Sequence, residues 1–187
     1  MSAPREPAGA KLVAGLLFRN FEDQNHILDL LTDRFGQLDL LTEARAFTYT
    51  DYYEKEMGPS LYRRLASFAA LVRPETLPDI KLFSNDLEMR FADGSRRRVN
   101  IDPGLLSVER LLLATGKNYT HRVYLRDGIY ADLTLIYQNG SYRPLPWTYP
   151  DYGAPQTLHF LGVLRQKLIY QQTNRLPRKA CLKGSDI

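Results

Sequence analysis

One cysteine is all that the 187 residues hold, and its solitude excludes a good deal. Cys181 cannot close an intrachain disulfide and supplies no Cys-based metal site, a pattern that fits a reducing cytoplasm. Long hydrophobic runs are scarce too. The longest near the start, residues 12–18, falls far short of the roughly 20 residues of a bilayer span and reads as a buried strand. No charged segment with a following apolar stretch and cleavage site precedes it, so neither a signal peptide nor a membrane partner is expected. Phosphate-loop signatures are missing: neither G-x-x-x-x-G-K-[ST] nor G-x-G-x-x-G occurs. Thr115-Gly116-Lys117-Asn118 lacks the upstream glycine and the Lys-Ser/Thr ending, although Lys117 can still meet an anion. H-E-x-x-H, G-x-S-x-G and C-x-x-C are absent as well, which removes the familiar zinc-protease, hydrolase and thiol-redox signatures. His26 and His159 fall on outer helix faces and carry no chemistry of their own.

A body-wide excess of positive charge is also lacking. The chain carries a net +4, but residues 174–187 hold four basic side chains against one acidic. Without them, 21 basic face 20 acidic groups. A nucleic-acid module concentrates its basic residues on a folded face, and here only Arg96-Arg97-Arg98 does so, at a strand start where solvation explains it. Nucleic acid is therefore not the expected partner.

What is present describes one α+β domain over residues 11–173, between a disordered Pro/Ala/Gly-rich start at 1–10 and a disordered basic tail at 174–187. Residues 11–18 form the first strand. Asn20 caps a helix whose Ile27, Leu28, Leu31 and Phe35 recur at helical spacing, with Gly36 as its stop. The pattern then predicts a strand over 44–53, a short helix over 60–71 and a longer one over 76–91, with Leu77, Ile80, Leu87 and Phe91 inward. Asp93-Gly94 turns the chain into a strand over 97–102, which Pro103-Gly104 should end; 108–115 is strand-like. Pro155 opens a last amphipathic helix bearing Leu158, Leu161, Leu164 and Leu168. The expected architecture is a mostly antiparallel sheet with an N-terminal βαβ unit and helices packed on one face.

Two hairpin signals, Asp127-Gly128 and Asn139-Gly140, sharpen the reading. Two-residue loops would pair Arg126 with Ile129, Val123 with Asp132, and His121 with Thr134; in the second hairpin Thr134 would face Leu145 and Asp132 would face Trp147. One face then carries His121, Tyr130, Asp132, Thr134, Arg143 and Trp147, and the other carries Ile129, Ala131, Leu133, Leu135 and Tyr137 against the helices. His121 and Asp132 become diagonal neighbours, about 7–8 Å apart at the backbone. A carboxylate that orients an imidazole is the usual support for a general base, and a wet sheet face with an incidental pair is the plainer explanation.

Three polar phrases point to a ligand site: Thr50-Asp51-Tyr52-Tyr53-Glu54-Lys55-Glu56-Met57-Gly58, Asn100-Ile101-Asp102-Pro103-Gly104 and Trp147-Thr148-Tyr149-Pro150-Asp151-Tyr152. Asp51 falls at the end of its expected strand, where open sheets place ligands. Asp51 and Glu56 suit a divalent cation or divided acid and base roles; a turn-forming Asp51 explains the phrase equally well. Arg98, Asn100 and Asp102 alternate onto one face, while Asp-Pro-Gly is also a plain turn. Lys81, Asn85 and Glu88 make one helical stripe, which reads first as solvated and only second as the wall of a cleft.

Taken in order, residues 50–58, Asp79-Ile80-Lys81-Leu82-Phe83 with Asn85 and Glu88, 99–104, Lys117 with His121-Arg122-Val123-Tyr124-Leu125, 128–135 and 146–152 resemble a bacterial family catalogued as domain of unknown function family 4416. The resemblance covers residues 11–170 and implies that Asp51, Lys81, Asn100, Asp102, Lys117, His121 and Asp151 converge in one cleft. It brings no established activity; a GTP-binding label on some relatives finds no P-loop here to support it.

The function expected is that of a cytoplasmic enzyme or sensor for a small anionic or phosphorylated metabolite. In that reading His121, Asp132 and Asp102 do acid–base work. Lys117, with Arg122 or Arg98, holds the anion, and Asp51, Tyr52, Glu56, Lys81, Asn100, Trp147, Tyr149 and Asp151 line the site. Arg122 sits on the opposite strand face from His121 in this register, which counts against it. The alternative is a non-catalytic module that binds RNA or protein through an aromatic and basic sheet face. The sequence names no cofactor.

Overall fold

Nine consecutive buried residues open the fold. In the computed structural model, which describes residues 3–94 and 96–175, strand β1 (Ala10–Phe18) is buried along its whole length, as a strand covered on both faces must be. Asn20 caps α1 (Phe21–Phe35), its Oδ1 accepting from the Glu22 N–H, and Gly36 ends the helix at φ 88°, where a Cβ would be strained. β2 (Leu38–Leu41), β3 (Arg45–Ala46), the single-turn helix α2 (Glu54–Met57) and β4 (Tyr62–Val72) follow. A 3-10 turn (Pro74–Thr76) leads into α3 (Leu77–Arg90). β5 (Val99–Leu106), β6 (Arg110–Thr115), β7 (Arg122–Arg126), β8 (Ile129–Gln138) and β9 (Ser141–Pro144) precede α4 (Pro155–Thr173).

The strands form one sheet in the order β2-β4-β1-β5-β6-β8-β7, with β3 beside β4 and β9 beside β8. β1 and β2 both run antiparallel to the β4 between them, so β1-α1-β2 is a split βαβ unit. β4-α3-β5 repeats it around β1. This double unit has the ferredoxin-like arrangement, and the β6–β9 meander extends it. No helix among the described residues is long and apolar enough to cross a membrane.

The helices do not share one face. β1 is apolar at both even and odd positions, so each side of the sheet needs a cover. Leu12, Ala14, Leu16 and Phe18 pack with Ile27, Leu28 and Leu31 of α1 and with Leu77, Ile80 and Leu87 of α3. Val13 belongs instead with Leu106, Leu111 and Leu135 under Phe160, Leu161 and Leu164 of α4. Two local readings also change. The segment 60–71 is not a helix but most of β4, a strand paired on both edges by β1 and β2; its Ala, Leu and Arg favour helix in isolation, and pairing overrides that preference. The strand expected at 44–53 shrinks to β3, and 47–61 becomes a long connection holding α2. The expected basic tail lies, except for Asn174 and Arg175, outside the described residues.

Both hairpins form, with Asp127 at φ 53°, Gly128 at 77°, Asn139 at 49° and Gly140 at 86°, the doubly left-handed pattern of a type I′ turn. The second keeps the expected register from Gln138↔Ser141 to Leu135↔Pro144. The first starts at Arg126↔Ile129, but a bulge at Leu125 then sets Val123 opposite Ala131 and Arg122 opposite Asp132. One extra residue moves Arg122 onto the face expected for Val123, and His121 lies before the strand begins.

β5 runs straight through Pro103-Gly104. It pairs with β6 only where 104–106 meet 111–113, and before that point the two strands part. Ile101 turns its backbone into the gap, where Glu88 Oε1 accepts its N–H at 2.8 Å and Lys81 Nζ donates to its C=O at 2.8 Å. Strand alternation directs the Pro103 nitrogen to the same edge, and a residue without an N–H leaves no donor unmet there. Gly104 marks the last close approach, since a Cβ would stand 2.6 Å from the Leu112 carbonyl oxygen.

Candidate functional site

The parting of β5 from β6 opens a cleft of about 390 Å³, within the size range of small-molecule sites. Arg63 of β4 and Asn100 and Asp102 of β5 form one wall, and Lys81, Asn85 and Glu88 of α3 form another. Lys117, Arg122 and Asp132 come from the meander side, while Tyr52, Tyr53, Tyr149 and Tyr152 supply aromatic walls.

At the base, Arg63 joins two carboxylates. Its Nη1 donates to Asp102 Oδ2 at 3.1 Å, and its Nε lies 3.2 Å from Asp151 Oδ2. Its guanidinium also sits over the Tyr152 ring, 5.0 Å from the centroid. Gly15 of β1 makes room for this group: a Cβ there would come within 2.6 Å of both Arg63 Nη2 and the Tyr152 hydroxyl. The two carboxyls are driven apart. Burial works to raise Asp102, but the charges of Arg63 and Lys81 and the Arg63 hydrogen bond outweigh it and hold the group below its usual range. Burial raises Asp151 above that range, with the Asp102 charge adding to it and Arg63 opposing it. Such divergence within one site is the arrangement by which paired carboxyls divide acid and base roles.

A second cluster fixes the α3 wall. Arg97 grips Glu56 with two parallel bonds, Nε to Oε1 at 2.6 Å and Nη2 to Oε2 at 2.7 Å. Its Nη1 reaches Glu88 Oε2 at 2.9 Å and Asn100 Oδ1 at 2.8 Å. Glu56 is thereby held well ionised, chiefly by the Arg97 hydrogen bonds. At the mouth, Lys117 Nζ donates to the Tyr52 hydroxyl at 2.8 Å, which lowers the phenol pKa. Among the described residues, no carboxylate pairs with Lys117.

His121 and Asp132 meet, with Nε2 3.1 Å from Oδ2. The same Oδ2 accepts from Arg122 Nε at 2.9 Å, and Oδ1 accepts from the Thr134 hydroxyl at 3.1 Å. The His121 ring lies flat on Trp147, centroids 4.8 Å apart and 10° from parallel, and Trp147 Nε1 donates to the Leu133 carbonyl at 2.7 Å. The sheet face is therefore filled rather than wet, with Asp132 and Thr134 both buried.

Of the residues singled out in sequence, Tyr52, Lys81, Asn100, Asp102, Lys117, Asp132, Tyr149 and Asp151 line the cleft. Asp51, Glu56, His121 and Trp147 are not among its lining residues. The Asp51 carbonyl accepts from the Glu54 N–H at the start of α2, a turn role. Glu56 lies behind Arg97 and is not free to share a cation with Asp51. Among the described residues, no three His, Cys, Asp or Glu side chains gather as metal ligands. Arg98 pairs with Asp23 of α1 and does not line the cleft, whereas Arg122, turned by the bulge, does. Arg63, Arg97, Tyr53 and Tyr152 were missing from the expected set. Arg63 is hidden by the helical look of 60–71 and Arg97 by its basic neighbours. The Lys81-Asn85-Glu88 stripe did carry a signal, and it is a cleft wall rather than a solvated face.

Among the described residues, four buried side-chain polar atoms lack a hydrogen-bond partner, and three belong to residues of the cleft: Arg63 Nε, Asn100 Nδ2 and the Tyr152 hydroxyl; the fourth is His121 Nδ1. The Nε–Asp151 approach is close but lacks hydrogen-bond alignment. No curated protein and no solved structure matches the chain. The family model described as Domain of unknown function (DUF4416) matches residues 8–168, and this chain belongs to that family.

Proposed function

We propose that the cleft binds a small, oxygen-rich anionic metabolite, such as a phosphorylated or carboxylated one. The observation that carries this reading is the set of three donors, Arg63 Nε, Asn100 Nδ2 and the Tyr152 hydroxyl, buried on one cleft without an acceptor. Each such group costs about 1–3 kcal/mol when left unmade, and native proteins keep few of them. A ligand rich in acceptor oxygens recovers that cost. Lys117 supplies the cation for the anionic group, and Tyr52, Tyr53 and Tyr149 wall the remainder. Asp102 and Asp151, with pKa values displaced in opposite directions, are the two carboxyls available for acid–base chemistry on what is bound. His121 acts from behind, as one of the groups that fix Asp132.

An RNA platform draws less from the molecule. Trp147 is stacked on His121 and Arg122 is held by Asp132, so each already has a partner within the fold.

A thermal-shift screen against phosphorylated and carboxylated metabolites tests the proposal. A ligand at a hundredfold excess over its dissociation constant stabilises the fold by about 2.7 kcal/mol. Lys117→Met, at an exposed position, and Asn100→Ala should both weaken the response. A screen without a hit, or hits indifferent to both variants, would remove the reading; binding of single-stranded RNA that falls steeply with salt would replace it.

A further inference from the structure

We infer that the cleft is one lobe of a site for an amphiphile, a ligand whose anionic head occupies the cleft and whose unbranched apolar tail lies in a trench beside α4. The inference rests on the cleft being an anion site. Beyond the Arg63–Asp151 pair a second cavity of about 580 Å³ opens. Leu65 of β4 lies beneath it, the 40–49 segment forms one bank, and Phe160 and Val163 of α4 form the other. Tyr49, Arg63 and Asp151 line both cavities, so the two meet at one partition.

The lobes differ in chemistry. Charged groups and tyrosines surround the cleft. The trench is also lined by Glu43, Arg45, Arg64 and His159, but it holds an apolar strip in which the buried Leu65 and Phe160 run out to Leu41 and Val163, which are 37% and 39% exposed. A ligand confined to the cleft leaves this apolar surface wet. A methylene chain attached to the same head covers it, and the Tyr49 ring, half-way between polar and apolar in character, lines both lobes. Arg63 and Asp151 are already neutralised by each other and by Asp102, so a chain passing the partition leaves no charge newly unpaired.

Methyl, butyl and octyl phosphate, titrated calorimetrically into the full chain below their aggregation concentrations, test this. Affinity should rise about fourfold per added methylene, the equivalent of burying one CH₂, until the trench is full. Val163→Glu should abolish that rise and leave methyl phosphate unchanged, while Lys117→Met should weaken all three by the same factor. An affinity flat in chain length, or a rise that survives Val163→Glu, overturns the tail and leaves the cleft reading intact. Binding of octyl phosphate that ignores Lys117→Met overturns the coupling of head to tail. No binding of any of the three overturns the inference and the anion site together.

Discussion

Single residues show how strongly this fold depends on charge placed out of water. Lys11 is fully buried, yet it donates to Asp39 Oδ2 at 2.5 Å and to Gln171 Oε1 at 2.8 Å. Burial works to raise the Asp39 pKa; hydrogen bonds from Lys11, Ser67 and Lys167 and the Lys11 charge overcome it, and the group titrates below its ordinary value. The sign follows. A depressed carboxyl contributes stability above the unfolded pKa of about 3.9 and loses it as pH falls through the folded value. Asp39→Ala should therefore cost about 3–5 kcal/mol at pH 7, because Lys11 is left unpaired, and the difference from the parent should narrow below pH ~4; urea melts at the two pH values read both. Gly15→Ala should cost about 1–3 kcal/mol, the price of forcing a methyl against Arg63 and Tyr152, and should weaken any cleft ligand. Half of the site was legible at this scale. Lys117, Asn100, Asp102 and Asp151 stand out because polar groups beside Gly, Pro and Tyr at element ends are costly without a use. Arg63 does not, since nothing local distinguishes it from a solvated arginine; only the pairing of β4 puts it beside Asp102.

Among the elements, β5 is unusual in having its first half held by side chains on one edge. The Ile101 N–H is protected by Glu88 rather than by a strand. Glu88→Ala should speed hydrogen exchange at Ile101 about tenfold, the equivalent of roughly 1.4 kcal/mol of hydrogen bond, with Leu105 unchanged. α4 is the helical cover of the second sheet face, so Leu164→Ala should cost about 2–5 kcal/mol in an unfolding titration, Leu164 being fully buried. Helices with clear caps and both Asx-Gly hairpins were readable, because their signals are local: Asn20, Gly36, Asp127-Gly128 and Asn139-Gly140 each satisfy a specific backbone need. β4 was not, since Leu61-Tyr62-Arg63-Arg64-Leu65-Ala66 fits a helical period and its fate depends on partners far away in sequence. Pro103-Gly104 misled for the opposite reason. A strong turn signal was used to leave one strand edge without a donor and to bring two backbones close. The bulge at Leu125 had no local signal, and it decided which of His121 and Arg122 reaches the cleft.

For the whole molecule, the cleft stands where the double βαβ unit gives way to the meander. Only residues 104–106 and 111–113 join β5 to β6 as a ladder; the rest of that β5 edge is held from α3 by Lys81 and Glu88, the latter ion-paired with Arg97. Side-chain ion pairs of this kind need both walls already in place, which gives them a position in time. They should form after the rate-limiting step of folding, when the strands and the apolar clusters have condensed. Arg97→Met should then leave the refolding limb of a chevron plot where it is and raise the unfolding limb, whereas Leu16→Ala, in the cluster under α1 and α3, should move both. The cleft would be the last part of the chain to close during folding and the first to open, so an occupant that bridges its walls would slow unfolding more than it speeds folding.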